Sequence, residues 1–143
     1  MPTVNIRAFA FADYNSAVAF WSSIDGLGLN ESDTSEAIAA FLVRNPGFSA
    51  IAIASTGEVV GTLLCGHNGR AGSLSHLAVA KHHRGRGIGS RLVEYAFTRL
   101  AEAKIPRCNI FVYNDNHDGN RFWLQSGWSD PSTWRVLQKH VQA

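Results

Sequence analysis

Between Thr3 and Ala8 apolar and polar residues alternate, the period of a strand with one buried face. The pattern changes at Phe11, after which Ala17, Val18, Phe20, Trp21 and Ile24 recur at helical spacing until Asp25-Gly26-Leu27-Gly28-Leu29-Asn30 breaks it. Asp33, with Glu36 three residues later, forms a capping arrangement for a second helix through Ala37, Ala40, Phe41 and Val43, ended by Asn45-Pro46-Gly47. Phe48 to Ala54 and Val59 to Cys65 flank the turn signal Ser55-Thr56-Gly57-Glu58 and predict an antiparallel hairpin. A further turn at His67 to Gly72 leads into a strand from Ser73 to Val79. A long helix follows through Leu92, Val93, Ala96, Phe97 and Leu100 to about Ala103. Arg107 to Tyr113 then predicts a strand, Asp118 to Ser126 a short helix, and Thr133 to Val141 alternates enough to close the sheet. The plan is mixed α/β, with no internal repeat, low-complexity segment or linker.

Composition narrows the class. Residues 1–143 have the length of one domain, enough to bury roughly two thirds of the unfolded surface around one core. No apolar run approaches the ~18 residues that span a bilayer. Met1-Pro2-Thr3-Val4-Asn5-Ile6-Arg7 lacks the succession of a signal peptide. Cys65 and Cys108 are too few for a disulfide framework, so a reducing, cytoplasmic setting without membrane association is expected. A net charge of +2 does not by itself imply nucleic acid. The basic run Lys81-His82-His83-Arg84-Gly85-Arg86, with Arg91, would need a broad basic surface around it to bind a phosphate backbone. Acidic residues are spread almost as densely as basic ones, and nucleic acid is not expected as a partner.

The candidate chemistry lies in Val79-Ala80-Lys81-His82-His83-Arg84-Gly85-Arg86-Gly87-Ile88-Gly89-Ser90-Arg91-Leu92, which joins a strand to a helix. Gly85, Gly87 and Gly89 permit backbone conformations closed to other residues and let a ligand approach without interference from Cβ. The N–H groups opening the next helix lack intrahelical acceptors and favour an anion, as do Arg84 and Arg86. A P-loop would require Gly-x-x-x-x-Gly-Lys-Ser/Thr, which is absent. A dinucleotide fingerprint would require Gly-x-Gly-x-x-Gly early in a βαβ unit, whereas the run here is Gly-x-Gly-x-Gly past mid-chain.

Arg84-x-x-Gly87-x-Gly89 after Leu77-Ala78-Val79 resembles the acetyl-CoA signature of the GNAT superfamily of N-acetyltransferases, Gln/Arg-x-x-Gly-x-Gly/Ala. Asn116-His117-Asp118-Gly119-Asn120-Arg121-Phe122-Trp123-Leu124-Gln125-Ser126-Gly127-Trp128 is similar to that family's Asn-x-x-Ala-x-x-x-Tyr-x-x-x-Gly-Phe segment. The resemblance runs from Val4 to about Val141. It implies a twisted, mostly antiparallel sheet of about six to seven strands, helices on both faces, and a splayed strand pair holding the cofactor. It further implies an acetyl-CoA site at Leu77, Val79, Arg84, Gly85, Arg86, Gly87, Ile88, Gly89, Ser90, Asn116 and Trp123, with backbone groups of Leu77 and Val79 along the pantetheine arm and no metal. Asn116 is equally readable as a helix cap. Homodimers are common in the family, and the resemblance leaves that association open.

The activity so implied is acetyl transfer by direct attack of a small-molecule or peptide amine, and two positions depart from the pattern. Trp123 stands where Tyr usually serves as acid, and an indole N–H is no useful proton source near neutral pH. Tyr113 and Cys108 are substitutes, or the thiolate leaves unassisted. Ser73 and Ser75 occupy the strand positions that often carry Glu or His as base. His76 falls on the opposite face of a regular pleat and needs a bulge to reach the cleft; His67 and His117 lie on turns nearby. The acceptor is expected between residues 20 and 36 and at the loop after Gly127. Asp25, Glu31, Asp33 and Glu36 suit an amine there, although a solvated cap cluster explains the same charges. A non-catalytic CoA-binding or regulatory domain of the same fold is the alternative.

Overall fold

The computed structural model describes residues 3–130 and 133–141. They fall into two units, the first running to Phe111 and the second beginning at Val112. In the first, β1 (Val4–Ala8), β2 (Ala50–Ala54), β3 (Val59–His67), β4 (Gly72–Val79) and β5 (Cys108–Ile110) form one sheet in sequence order. Every pairing is antiparallel except β4 with β5, which is parallel. Helices α1 (Tyr14–Ser22), α2 (Ser35–Arg44) and α3 (Ile88–Glu102) belong to this unit.

Strand β3 lies at the centre, and its seven interior residues are buried, as a strand covered on both faces must be. On one face Ile51, Leu64 and Ala78 pack with Phe9, Ala17, Phe20, Trp21 and Ile38 of the α1 and α2 side. On the other, Ile88, Leu92, Ala96 and Leu100 form the buried stripe of α3 at four-residue spacing. Gly61 lets α3 approach: a Cβ there would lie 3.1 Å from Leu92 Cδ1 and 3.2 Å from Ile88 Cγ2. At the start of the chain Arg7 grips Asp13 through two contacts of 2.8 Å, and that pairing holds the Asp13 carboxyl below its ordinary range.

Four expectations are corrected. The sheet has five strands among the described residues, not six to seven. Thr133–Val141 contains no strand: alternation supplies a strand with two faces but no partner for its backbone, and this stretch, all exposed, joins no ladder. Arg107–Tyr113 shrinks to the three residues of β5, which pair only with Gly72, Ser73 and Leu74. Finally, α2 is capped by Thr34, whose hydroxyl accepts the Ala37 N–H at 3.2 Å. Asp33 instead turns back to the Asn30 N–H at 2.9 Å and closes a one-turn 3-10 helix, Glu31–Asp33.

The second unit holds α4 (His117–Gln125). Asn116 caps it, with Oδ1 accepting the Gly119 N–H at 3.0 Å. Trp123 is buried and packs edge-on against Phe122 and Trp128, with ring centroids 5.0 and 4.9 Å away. Among the described residues no helix is long and apolar enough to cross a membrane.

Candidate active site

The regular alternation of β4 fails at one place. Ala78 lies opposite Thr62 and Ser75 opposite Leu64, so His76 and Leu77 together face the single residue Leu63. This is a β-bulge, and His76 adopts a left-handed φ of 53° within it. Nothing local demands that conformation of a histidine; it is held from outside. Thr62, fully buried on β3, donates to the His76 carbonyl at 2.9 Å and accepts the Trp21 indole N–H at 2.8 Å. The Trp21 ring meets the imidazole edge-on at a centroid distance of 4.8 Å.

The bulge brings the imidazole to the 3-10 turn before α2. His76 Nε2 lies 2.7 Å from Asp33 Oδ1, and only 15% of the His76 side chain and 8% of the Asp33 side chain are exposed. Asp33 is fixed on three sides: its Oδ2 accepts from Asn30 N, its backbone carbonyl accepts the Tyr14 hydroxyl at 2.6 Å, and its Oδ1 faces His76. An ionised carboxylate only accepts, so the Nε2 proton is directed to it and Nδ1 keeps its lone pair. A carboxylate orienting an imidazole in this way makes a competent general base.

His76 and Asp33 line a cleft of about 720 Å³ together with Ser75, Phe41, Arg44 and His67. Ser75 is the exposed serine beside the bulge, whereas Ser73 is exposed but is not part of this cleft. His67 Nδ1 is occupied by the Gly69 N–H at 2.9 Å, so the nitrogen that could act as base is engaged in the turn. Asp25 and Glu36 are exposed, as a solvated cap region would have them.

The glycine turn follows β4 directly. Gly85 and Gly87 take left-handed φ values of 76° and 78°, with open space where a Cβ would stand. Gly87 begins α3 without any side-chain cap, which leaves the first backbone donors of the helix to solvent or an anion. Arg84, Arg86 and Ser90 are exposed around them, Gly89 is partly buried, and Ile88 is buried under the helix. Arg84 Nε donates to the Val79 carbonyl at 3.0 Å and ties the turn to the strand end. Ala80 N donates to Val60 O while Val79 stands opposite Gly61, so Val79 occupies a non-hydrogen-bonded pair and its own N–H and C=O point away from β3. The β4–β5 ladder has ended at Leu74 and Ile110, so this edge is not covered by β5. Outward backbone donors, a left-handed glycine turn and two exposed guanidinium groups fit a pyrophosphate-bearing ligand.

In the second unit, the Asn116 side-chain oxygen is spent on its cap. Tyr113 is 67% exposed, and His117, the first residue of α4, is also exposed. Cys108 is poorly suited to protonate a thiolate, because burial pushes its thiol up to about 11 despite the opposing hydrogen bond to Asn109. That makes it less acidic than an ordinary thiol at about 8.5. Two residues of the cleft escaped sequence reasoning in the roles the geometry gives them. Asp33 carried a cap signal and Arg44 ended a helix; neither pattern reveals which distant side chain it will meet.

The family model for the GNAT acetyltransferase family matches residues 14–128. The chain belongs to this acetyltransferase family. An acetyltransferase of Sodalis glossinidius is 30% identical over 113 residues, covering 79% of this chain and 78% of the relative. One of Photorhabdus laumondii is 31% identical with the same coverage. Among solved structures, a GNAT-family acetyltransferase of Staphylococcus aureus superposes with a TM-score of 0.78 at 19% identity, covering 94% of this chain and 92% of the other. A PaiA N-acetyltransferase of Thermoplasma acidophilum, solved in complex with coenzyme A, gives 0.77 at 16% identity and 92% coverage of each. At those identities the superpositions establish the acetyltransferase fold.

Proposed function

We propose that this acetyltransferase moves an acetyl group from acetyl-CoA to a primary amine by direct attack in a ternary complex, with His76 as general base. The observation that carries the reading is the 2.7 Å contact between His76 Nε2 and Asp33 Oδ1, made at a strained bulge in the strand that runs into the anion turn.

The acceptor must be the neutral amine when it attacks, because an ammonium ion has no lone pair to offer. His76 Nδ1 takes the proton that the nitrogen must lose, and Asp33 stabilises the imidazolium that results. Arg84, Arg86 and the backbone N–H groups of Gly87 to Ser90 hold the pyrophosphate, while backbone groups of Leu77 and Val79 align the pantetheine arm. When bound, acetyl-CoA supplies the acyl group as a thioester whose thiol is a good leaving group at about pKa 8.5. No side-chain acid is required for that departure, which is consistent with Trp123 at the usual tyrosine position. The family match crosses both units, which supports residues 1–143 as one acetyltransferase domain. Cys65 and Cys108 are free thiols, which supports a cytoplasmic setting.

Calorimetric titration with acetyl-CoA, using desulfo-CoA and ADP as controls, followed by transfer to a panel of amines, tests the reading. Micromolar binding with transfer that His76→Gln abolishes is the expected result. Binding without transfer to any amine would favour a regulatory CoA-binding domain, and no binding at millimolar ligand would end the reading.

A further inference from the structure

The cleft beside His76 has two chemically different ends. Asp33 and His76 form one; Arg44 and His67 form the other. Arg44 makes no ion pair among the described residues, although it is the cationic residue lining the cleft. His67 adds a second donor at that end: its Nδ1 accepts the Gly69 N–H, so the ring proton sits on Nε2. Phe48, edge-on at 5.0 Å, holds the ring, and Asn45 ties α2 to the His67 backbone N–H at 3.0 Å.

We propose that the acceptor is an amine that also carries an acidic group, the amine at His76 and Asp33 and the acid at Arg44 and His67. This rests on the cleft being the acceptor site. Two rulers set the spacing. The ten residues of α2, at about 1.5 Å each, put Arg44 roughly 14 Å from Ser35. On the sheet, Gly72 pairs with His67, and the four residue steps from Gly72 to His76 span roughly 13 Å at about 3.3 Å each. Side chains reaching in from both ends shorten the gap to the length of two or three extended residues, roughly 7–10 Å. An α-amino acid is too short to touch both ends. A polyamine would set a second ammonium beside an unpaired guanidinium, a like-charge contact that disfavours it.

The test is calorimetric titration of the full chain, saturated with CoA, with β-alanine, γ-aminobutyrate, ε-aminocaproate and aminooctanoate against the matching alkylamines and diamines. A peptide arm compares C-terminally amidated alanyl-alanyl-glutamate with its amidated lysine counterpart, which separates a peptide from a free small molecule as the source of the acid. The expected result is at least tenfold tighter binding of the longer amino acids, or of the glutamate peptide, than of their uncharged or cationic counterparts. Arg44→Gln should erase that preference, with circular dichroism and the melting temperature reporting a retained fold. Equal binding of alkylamines or diamines, a preference indifferent to Arg44→Gln, or binding of none of the probes would overturn the inference. A preference that depends on Arg44 in a protein that acetylates no amine would support the amine and acid ends of the cleft as a binding site while overturning both the enzyme reading and the acceptor role.

Discussion

Asp33 Oδ1 and His76 Nε2 lie 2.7 Å apart across 43 positions of sequence. The pair joins a 3-10 turn before α2 to the bulge of β4, and each residue is held by other contacts before it meets its partner. Asp33→Asn keeps an oxygen for the Asn30 N–H but removes the charge that favours imidazolium. The variant should fold normally and lose roughly a hundredfold to a thousandfold in kcat, within the range of a general-base contribution. KM for acetyl-CoA should change little, since the residues assigned to its pyrophosphate are untouched. Steady-state kinetics with a thermal melt decide this.

Thr62 makes the second prediction. Its hydroxyl satisfies both the Trp21 indole and the His76 carbonyl inside the core. Thr62→Val preserves shape and orphans both groups, which should cost about 2–3 kcal/mol in urea unfolding. Activity should fall further than stability explains, because the bulge loses its anchor. Thr62→Ser restores the hydrogen bonds and should recover most of the turnover, a rescue that a packing role for the threonine methyl would not give.

The residues that could be read in advance are those whose signal is local. Gly85, Gly87 and Gly89 announce a turn because two of them need a backbone that other residues avoid, and the stripe Ile88, Leu92, Ala96, Leu100 announces the face that α3 buries. The bulge at His76 had no such sign. Ser73-Leu74-Ser75-His76-Leu77 alternates without a glycine, and the left-handed histidine is imposed by Thr62 from the neighbouring strand and stabilised by Asp33 from the other side of the cleft. Regular alternation therefore put the imidazole on the wrong face. Thr133 to Val141 failed in the opposite sense: it has the pattern of a strand, but pairing depends on an edge being available, which the segment's own sequence does not encode.

Gly87 tests the anion turn. Its φ of 78° lies where an L-residue is strained, although a methyl group would meet no atom within 4 Å. Gly87→Ala should therefore cost about 1–2 kcal/mol in stability. The backbone donors that open α3 should move with it, and acetyl-CoA should bind at least tenfold more weakly by calorimetry. Wild-type affinity in Gly87→Pro would remove the turn from the cofactor site.

Cys65 predicts how stability responds to alkaline pH. Burial raises its thiol to about 12, with a smaller contribution from the neighbouring Cys108, whose own value burial raises to about 11. In the unfolded chain both titrate near about 8.5. Because folding raises both values, the folded state binds protons that the unfolded state has released once the pH exceeds the unfolded value. Stability contributed by these thiols is complete below that value. It is lost progressively as the pH climbs toward about 11 and then about 12. Urea midpoints measured from pH 7.5 to pH 10.5 should therefore fall for the wild type more steeply than for Cys65→Ala, once each series is referred to its own neutral value. Alkylation by iodoacetamide at pH 8 should be slow in the native state and fast after unfolding. Rapid native labelling of Cys65 would mean that the centre of the sheet opens far more often than its packing against α3 allows.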